Sequence, residues 1–371
     1  MKIAMIVERF PPDIGGSGVR FYKIAERLAQ RHEIDVLTLG HNHIQFVKRN
    51  FRVYRFNSDK LPFLPYYGLN RIIGHSFSTF FQLLFRSYDV IDIDIWPIIP
   101  FFSAKIAKPF APAIVSWNVA WPFSFNKAVS KISNTLAHIV SKLSTHNITV
   151  SNFAKTILIN QLNINPKKID VIPNGVDETF FKAKLEPQQG RIVFVGRLEH
   201  QKRLDLLLEA FKILKKKVSD AELHIIGSGP LYSRLLQASR KINGICLHNS
   251  ISADKKDEII SQLSKSWVFV SASEFETYGL AIAESLCVGL PVVVTQTPYN
   301  AAISELVKHA YNGLIVEHNS PTAIAAALEE LYKNQRLWVK LSQNAKLSSF
   351  CSWDDVAKKI EDIYICVKNQ N

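Results

Sequence analysis

Two carboxylates, Glu276 and Glu284, stand in an E-x7-E spacing within the stretch Ser271–Thr295, SASEFETYGLAIAESLCVGLPVVVT. The stretch reads as a strand, a loop, a helix, a Gly-Leu-Pro turn and a second strand. Glu276 then lies on the loop and Glu284 in the first turns of the helix. Ligands of open parallel sheets gather at the carboxyl ends of strands, which is where this loop falls. Carboxylates accept hydrogen bonds well from paired hydroxyls, such as those of a sugar or a ribose. Gly279 at the helix start leaves room for a ligand against free N–H groups that favour phosphate. A purely solvated helix face is a poor account of Glu284, which has Ala, Ile, Leu and Val around it.

Two cations form a second group. In Val193–Arg203, VFVGRLEHQKR, a strand runs into a turn holding Arg197 and Lys202. Arg can grip a diphosphate in a fork, and Lys adds a point charge. The plainer reading is a surface turn paired with Glu199. A third group, Pro11–Arg20, places Gly15, Gly16 and Gly18 before a helix. Backbone amides there could approach a phosphate, although such glycines often mark only a tight turn. Asn118, Asp92 and Asp94 sit at strand ends, where capping is as good an account as catalysis.

These residues need a scaffold. Strands are predicted at Lys2–Val7, Ile34–Leu39, Val90–Ile95, Ile114–Trp117, Asn147–Val150 and Ile169–Ile172. Helices fall between them, including Val19–Gln30, Asn126–Leu143 and a Ser151-capped Asn152–Gln161. The polar run 181–189 reads as a linker. The alternation then restarts with strands at Arg191–Val195, Glu222–Ile226, Trp267–Ser271 and Pro291–Thr295. Helices Leu204–Lys217, Leu280–Val288, Pro321–Lys333 and Trp353–Val367 accompany them. Strands alternating with helices in both halves predict an α/β protein with two doubly wound parallel sheets.

The bulk properties agree. A chain of 371 residues suits two domains, and 47% hydrophobic content supports real cores. The four cysteines form no CxxC pair, so a zinc site or disulfide framework is not expected, and a reducing cytosol fits best. No apolar run reaches the roughly 18 residues of a membrane span. The net charge of +13 lies mostly in the first half. It suggests an anionic partner, such as a membrane face or a phosphorylated acceptor. From Phe46 to Tyr88, basic and aromatic residues interleave. That pattern suits docking on an anionic membrane as well as it suits a domain core. No signature of a nucleic-acid binder is present.

Taken together, GGSG at 15–18, VIPNGVD at 171–177, GRLEHQKR at 196–203, IIGSGP at 225–230, the E-x7-E pair and SWDDVAKKIEDIY at 352–364 resemble glycosyltransferase family 4. The resemblance runs over nearly the whole chain. It implies a GT-B fold, with two Rossmann-like domains facing across a cleft. It also implies a retaining, metal-independent hexosyl transfer from a nucleotide sugar, with no cofactor. Expected domains are 1–180 on the acceptor side, 190–350 for the donor, and a terminal helix in 351–371 that crosses back to the first domain.

Carried over residue by residue, the resemblance makes Glu276, Arg197 and Lys202 the catalytic residues. Arg197 and Lys202 bind the donor diphosphate, and Glu276 meets the sugar hydroxyls near the anomeric carbon. Glu284 holds the ribose, Tyr278, Gly279 and Leu280 offer amides, Gly16 approaches the diphosphate, and the base lies near Ile251. Asn118 and Asp94 are acceptor-side candidates. Thr277 and Tyr278 replace the usual Gly and Phe, and Asn118 stands where many members carry a His. Asn cannot take up a proton. The expected partners are a nucleotide-sugar donor and a glycan or lipid-linked acceptor. The expected location is the cytoplasm, at the face of an anionic membrane if the basic-aromatic segment docks there. Rival readings are a non-catalytic nucleotide-sugar-binding or scaffold protein and a nucleotide-sugar 2-epimerase.

Overall fold

The computed structural model describes residues 1–12, 15–40, 43–48, 50–56, 67–118, 127–251 and 255–370, with only the backbone described at 43–48, 67–71 and 127–131. The chain divides into two compact units. Unit 1 is Met1–Gly175 with Trp353–Asn371, and unit 2 is Val176–Ser352.

Unit 1 is built on strands β1 (Lys2–Ile6), β2 (Glu33–Leu39), β3 (His43–Lys48), β4 (Phe51–Phe56), β5 (Val90–Asp94), β6 (Ala113–Trp117), β7 (His146–Thr149) and β8 (Ile169–Val171). They form one sheet in the order β3-β4-β2-β1-β5-β6-β7-β8. Every pair is parallel except β3 with β4. The central strands are buried along their length, as a sheet with both faces covered requires. The connecting helices are α1 (Gly16–Leu28), α2 (Tyr67–Leu84), α3 (Ile99–Ala107), α4 (Lys127–Leu143) and α5 (Asn152–Leu162). Ser151 caps α5, its hydroxyl accepting from the Ala154 N–H at 3.1 Å.

The C-terminal helix, Trp353–Asn369, belongs to unit 1. Its inner face carries Trp353, Val356, Ile360 and Tyr364, all buried. Glu361 accepts hydrogen bonds from Arg31 and from His32, whose Nε2 lies 2.6 Å away. Tyr364 donates to buried Asp92, and Arg27 pairs with Asp354. A Cβ on Gly175 would stand 2.7 Å from the backbone of Trp353, so only glycine lets the helix seat there.

Unit 2 is entered through α6 (Glu178–Lys182). Its strands are β9 (Arg191–Val195), β10 (Glu222–Ile226), β11 (Ile245–His248), β12 (Val268–Ser271), β13 (Val292–Gln296) and β14 (Gly313–Glu317). They lie in the order β11-β10-β9-β12-β13-β14 and every pair is parallel. Its further helices are α7 (Leu204–Lys215), α8 (Tyr232–Lys241), α9 (Lys256–Ser264), α10 (Leu280–Val288), α11 (Ile303–Leu306), α12 (Pro321–Lys333) and α13 (Gln335–Lys346). Trp267 and Trp338 stack at 4.2 Å, and the Trp338 indole donates to the Trp267 carbonyl. The run 181–189 is no free linker. The Glu186 and Gln188 amides donate to the Ser264 and Lys265 carbonyls, and Gln189 donates to that of Tyr332. Polar side chains gave it the look of a linker, while its backbone is fastened to unit 2.

Candidate active site

The carboxyl ends of β9 and β10 are knitted together by backbone alone. The Gly196 amide donates to Ile226, and the Leu198 amide to Ser228 at 2.8 Å. A Cβ on Gly227 would lie 2.0 Å from the Gly196 carbonyl oxygen, and one on Gly229 would lie 2.6 Å from that of Leu198. The glycines of GSGP are therefore spacers that allow two turns to touch. Leu198 is fully buried and anchors the turn between Arg197 and Glu199. The chain then makes a short 3-10 turn, His200–Lys202, and enters α7 through Arg203 in the left-handed region (φ 47°).

Lys202 reaches Glu276 across this strand end. Its Nζ donates to Oε2 at 2.7 Å, with the two side chains 16% and 18% exposed. The loops that carry them are also tied by backbone, the Glu274 amide donating to the Gln201 carbonyl at 2.8 Å. Arg197 instead pairs with Glu199 at 2.7 Å, and Gln201 holds the other oxygen of Glu199 at 3.0 Å. Arg197 thus sits in the expected turn pair with Glu199, whereas Lys202 leaves that turn for Glu276. A cation and a carboxylate drawn from two loops meet at one spot.

The loop bearing Glu276 is pinned by residues that the motifs did not single out. Asn300 is fully buried and donates to the carbonyls of Ser273 (2.6 Å) and Thr295 (3.0 Å). Its side-chain oxygen accepts from the Thr297 amide, and the Thr297 hydroxyl donates to the Glu274 carbonyl. A buried Asn spanning two loops leaves no periodic mark in sequence. Its position beyond a strand end is the one available hint.

Gly279 turns the loop into α10 with φ 97°, a left-handed value that favours glycine. No side chain caps this helix start. Tyr278 is buried beneath it, and Leu280 and Glu284 share its half-exposed face. Gly289, at φ 94°, ends the helix. Ile251 is half-buried just beyond β11, and residues 252–254 lie outside the described residues.

The acceptor-side candidates belong to unit 1. Asp94 ends β5, buried, and accepts from Asn118 at 3.2 Å and from Ser17. Burial pushes its carboxyl up to about 7, and the charges of Asp92 and Glu8 add to this against the two hydrogen bonds. Asp92, two positions back, is taken up by Ser116 and Tyr364 in the seat of the C-terminal helix. Gly18 is required where a Cβ would meet the Arg9 carbonyl at 2.3 Å, whereas a Cβ on Gly16 would enter open space. Of the VIPNGVD run, the Pro173 carbonyl and the Asn174 side chain accept from buried Arg20 at 3.0 and 2.9 Å. Of the basic-aromatic segment, 49 and 57–66 lie outside the described residues. Phe51, Tyr54 and Tyr88 are core, whereas Phe77, Phe81 and Phe85 are exposed.

Two family models divide the chain between them. "Glycosyltransferase Family 4" matches residues 14–180, and "Glycosyl transferases group 1" matches 176–348. The chain belongs to the family 4 glycosyltransferases. An uncharacterized glycosyltransferase of Methanocaldococcus jannaschii is 27% identical to this transferase over 98% of both chains. A UDP-Gal:alpha-D-GlcNAc-diphosphoundecaprenol alpha-1,3-galactosyltransferase of Escherichia coli is 29% identical over 64% of this chain and 65% of its own. Among solved structures, a sucrose-phosphate synthase of Thermosynechococcus elongatus superposes with a TM-score of 0.83 over 100% of both chains at 16% identity. The fold of the transferase is accordingly GT-B, with two Rossmann-like parallel-sheet domains.

Proposed function

We propose that this transferase moves a hexose from a nucleoside-diphosphate sugar to a lipid-linked acceptor, with retention of configuration. The observation that carries this reading is the Lys202–Glu276 pair in unit 2. It puts a cation suited to a departing diphosphate beside a carboxylate suited to sugar hydroxyls. The uncapped start of α10 follows three residues after Glu276 and offers N–H groups to the same anion. Arg197, released from Glu199, would add a second cation. Glu284 would receive the ribose, and the base would lie by Ile251. In the reaction, the bond between the anomeric carbon and the diphosphate oxygen breaks. The acceptor oxygen bonds to that carbon on the same face, and its proton passes to the departing phosphate oxygen. This chemistry calls for no metal ion.

Two observations favour a lipid-linked acceptor. The Escherichia coli relative is named for a UDP-sugar donor and a diphosphoundecaprenol acceptor. Phe77, Phe81 and Phe85 recur at helical spacing along α2 and just past its end, and Phe85 is 81% exposed. Against α2 packs α3, near whose end stand Ile106 and Phe110, both strongly exposed, with Lys105 and Lys108. Exposed rings with cations among them match the interface of an anionic bilayer. No described helix is long and apolar enough to cross a membrane. Flotation with vesicles containing anionic lipid tests the docking, and binding that fails to appear or ignores salt rules it out. Transfer itself is tested by Glu276→Ala and Lys202→Ala, each expected to lower turnover by roughly 10²–10³ in a folded protein. Full activity in either removes the assignment.

A further inference from the structure

We propose that Glu222, His224 and Cys246 form a binding site for one transition-metal ion, with His248 orienting the ring of His224. The site belongs to the β10–β11 edge of unit 2 and uses none of the residues assigned to transfer. β10 and β11 are parallel neighbours with His224 opposite Cys246. The period of two along each strand puts Glu222 and His224 on one face of the sheet, with Cys246 and His248 beside them. One ligand atom each from Glu222, His224 and Cys246 lies within 4.8 Å of the others. The Nε2 atom of His224 is 3.1 Å from a Glu222 oxygen. Its Nδ1 is 3.0 Å from Nε2 of His248, and the two rings stack at 5.2 Å with 13° between their planes.

An imidazole, a thiol and a carboxylate are the donors that zinc, cobalt(II) and their neighbours take. Tetrahedral zinc, with bonds of about 2.0–2.3 Å, sets its ligand atoms roughly 3.3–3.8 Å apart. The cluster reaches that spacing by small rotations of Glu222, half-exposed, and Cys246, partly exposed. His224 needs no such freedom, being buried and held at Nδ1 by His248, while its Nε2 gives up the Glu222 contact to the metal. A ligating histidine commonly has its second nitrogen held by a hydrogen bond, the part His248 plays. On binding, the Cys246 S–H bond breaks and its proton leaves to solvent, the His224 ring proton moves from Nε2 to Nδ1 and is donated to His248, and the sulfur and Nε2 bond the metal. Arg191, opposite Glu222 on β9, is the nearby cation. Its Nη2 is turned to Gln262 at 2.6 Å. The fourth metal position is left to water. The ion would tie the strand β11 to its neighbour β10, just ahead of Ile251.

The test is a cobalt(II) titration of the full chain, stripped with chelator and carrying no tag. The expected result is one equivalent bound, a thiolate-to-cobalt charge-transfer band in the near ultraviolet, and a rise in melting temperature. Zinc should then displace the band. Cys246→Ser, a near-isosteric change, should lose the band, His224→Ala should weaken binding at least tenfold, and Cys351→Ser should keep both. Circular dichroism establishes that each variant is folded. Absence of stoichiometric binding to the folded chain overturns the site, as does a band that survives Cys246→Ser.

Discussion

Lys202 and Glu276 come from loops far apart in sequence, and each is the other's partner at 2.7 Å. Replacing either leaves the other partly buried without its counter-charge, which costs more than an exposed pair would. Lys202→Ala is expected to lower kcat by roughly 10²–10³, the scale of a lost anion-stabilising group. Steady-state kinetics checks this, and a change confined to KM counts against a role in stabilising the leaving group. Asp94 offers a separate test. Its folded carboxyl titrates near 7, above its unfolded value, so the folded state holds the proton more tightly. Stability is therefore full near pH 4 and falls as pH rises toward 7, by at most about 4 kcal/mol. Asp94→Asn, always neutral, should melt higher than the parent above pH 7, with the gap closing toward pH 4. A pH-independent gap refutes this. At this scale residue type and spacing singled out Glu276 and Lys202, which the structure brings together, and Glu284, which lies on the half-exposed face of α10. The sequence was silent on Asn300 and Thr297, whose partners are backbone carbonyls of other loops. The pairing of Arg197 with Glu199 was legible as the plainer reading of the turn, whereas nothing local showed that Lys202 leaves that turn for Glu276.

Helices and strands were legible where they are long and periodic. β9, β10, α10 and α12 match their predicted bounds, because apolar runs, a Gly-Leu-Pro turn and a capping Ser before Pro321 are local signals. The pair β3–β4 and the short strands β11 and β14 went unread. β11 has four residues and is mostly half-exposed, and the antiparallel β3 at the sheet edge breaks the β-α alternation from which the other strands were read. Without β11, the gathering of Cys246 with His224 had no sequence signal. At the turn between β8 and α6, Gly175→Ala should push against the Trp353 backbone and cost about 1–3 kcal/mol by overpacking. Urea denaturation measures it, and an unchanged midpoint shows that the helix seat can shift. On α2 and just past its end, replacing Phe77, Phe81 and Phe85 together by Ser should abolish vesicle flotation without lowering the melting temperature, since all three are exposed.

For the whole molecule, composition and alternation were enough to read two parallel-sheet domains, since both sheets obey the same β-α rhythm. A thermal-shift screen with UDP, GDP, ADP and their sugars should single out one nucleoside diphosphate and its conjugate, unaffected by chelator. No shift with any of them would leave the donor assignment without support. One feature of the chain's layout concerns its synthesis. Unit 1 is assembled from the first 175 residues and the last helix, so the ribosome releases its final piece only after all of unit 2. Until then β5 lacks Tyr364 against Asp92, and Arg31 and His32 lack Glu361. The nascent first domain must wait with a bare flank until the whole of unit 2 has been made. A premature stop codon near position 352 would therefore damage the part of the protein made first.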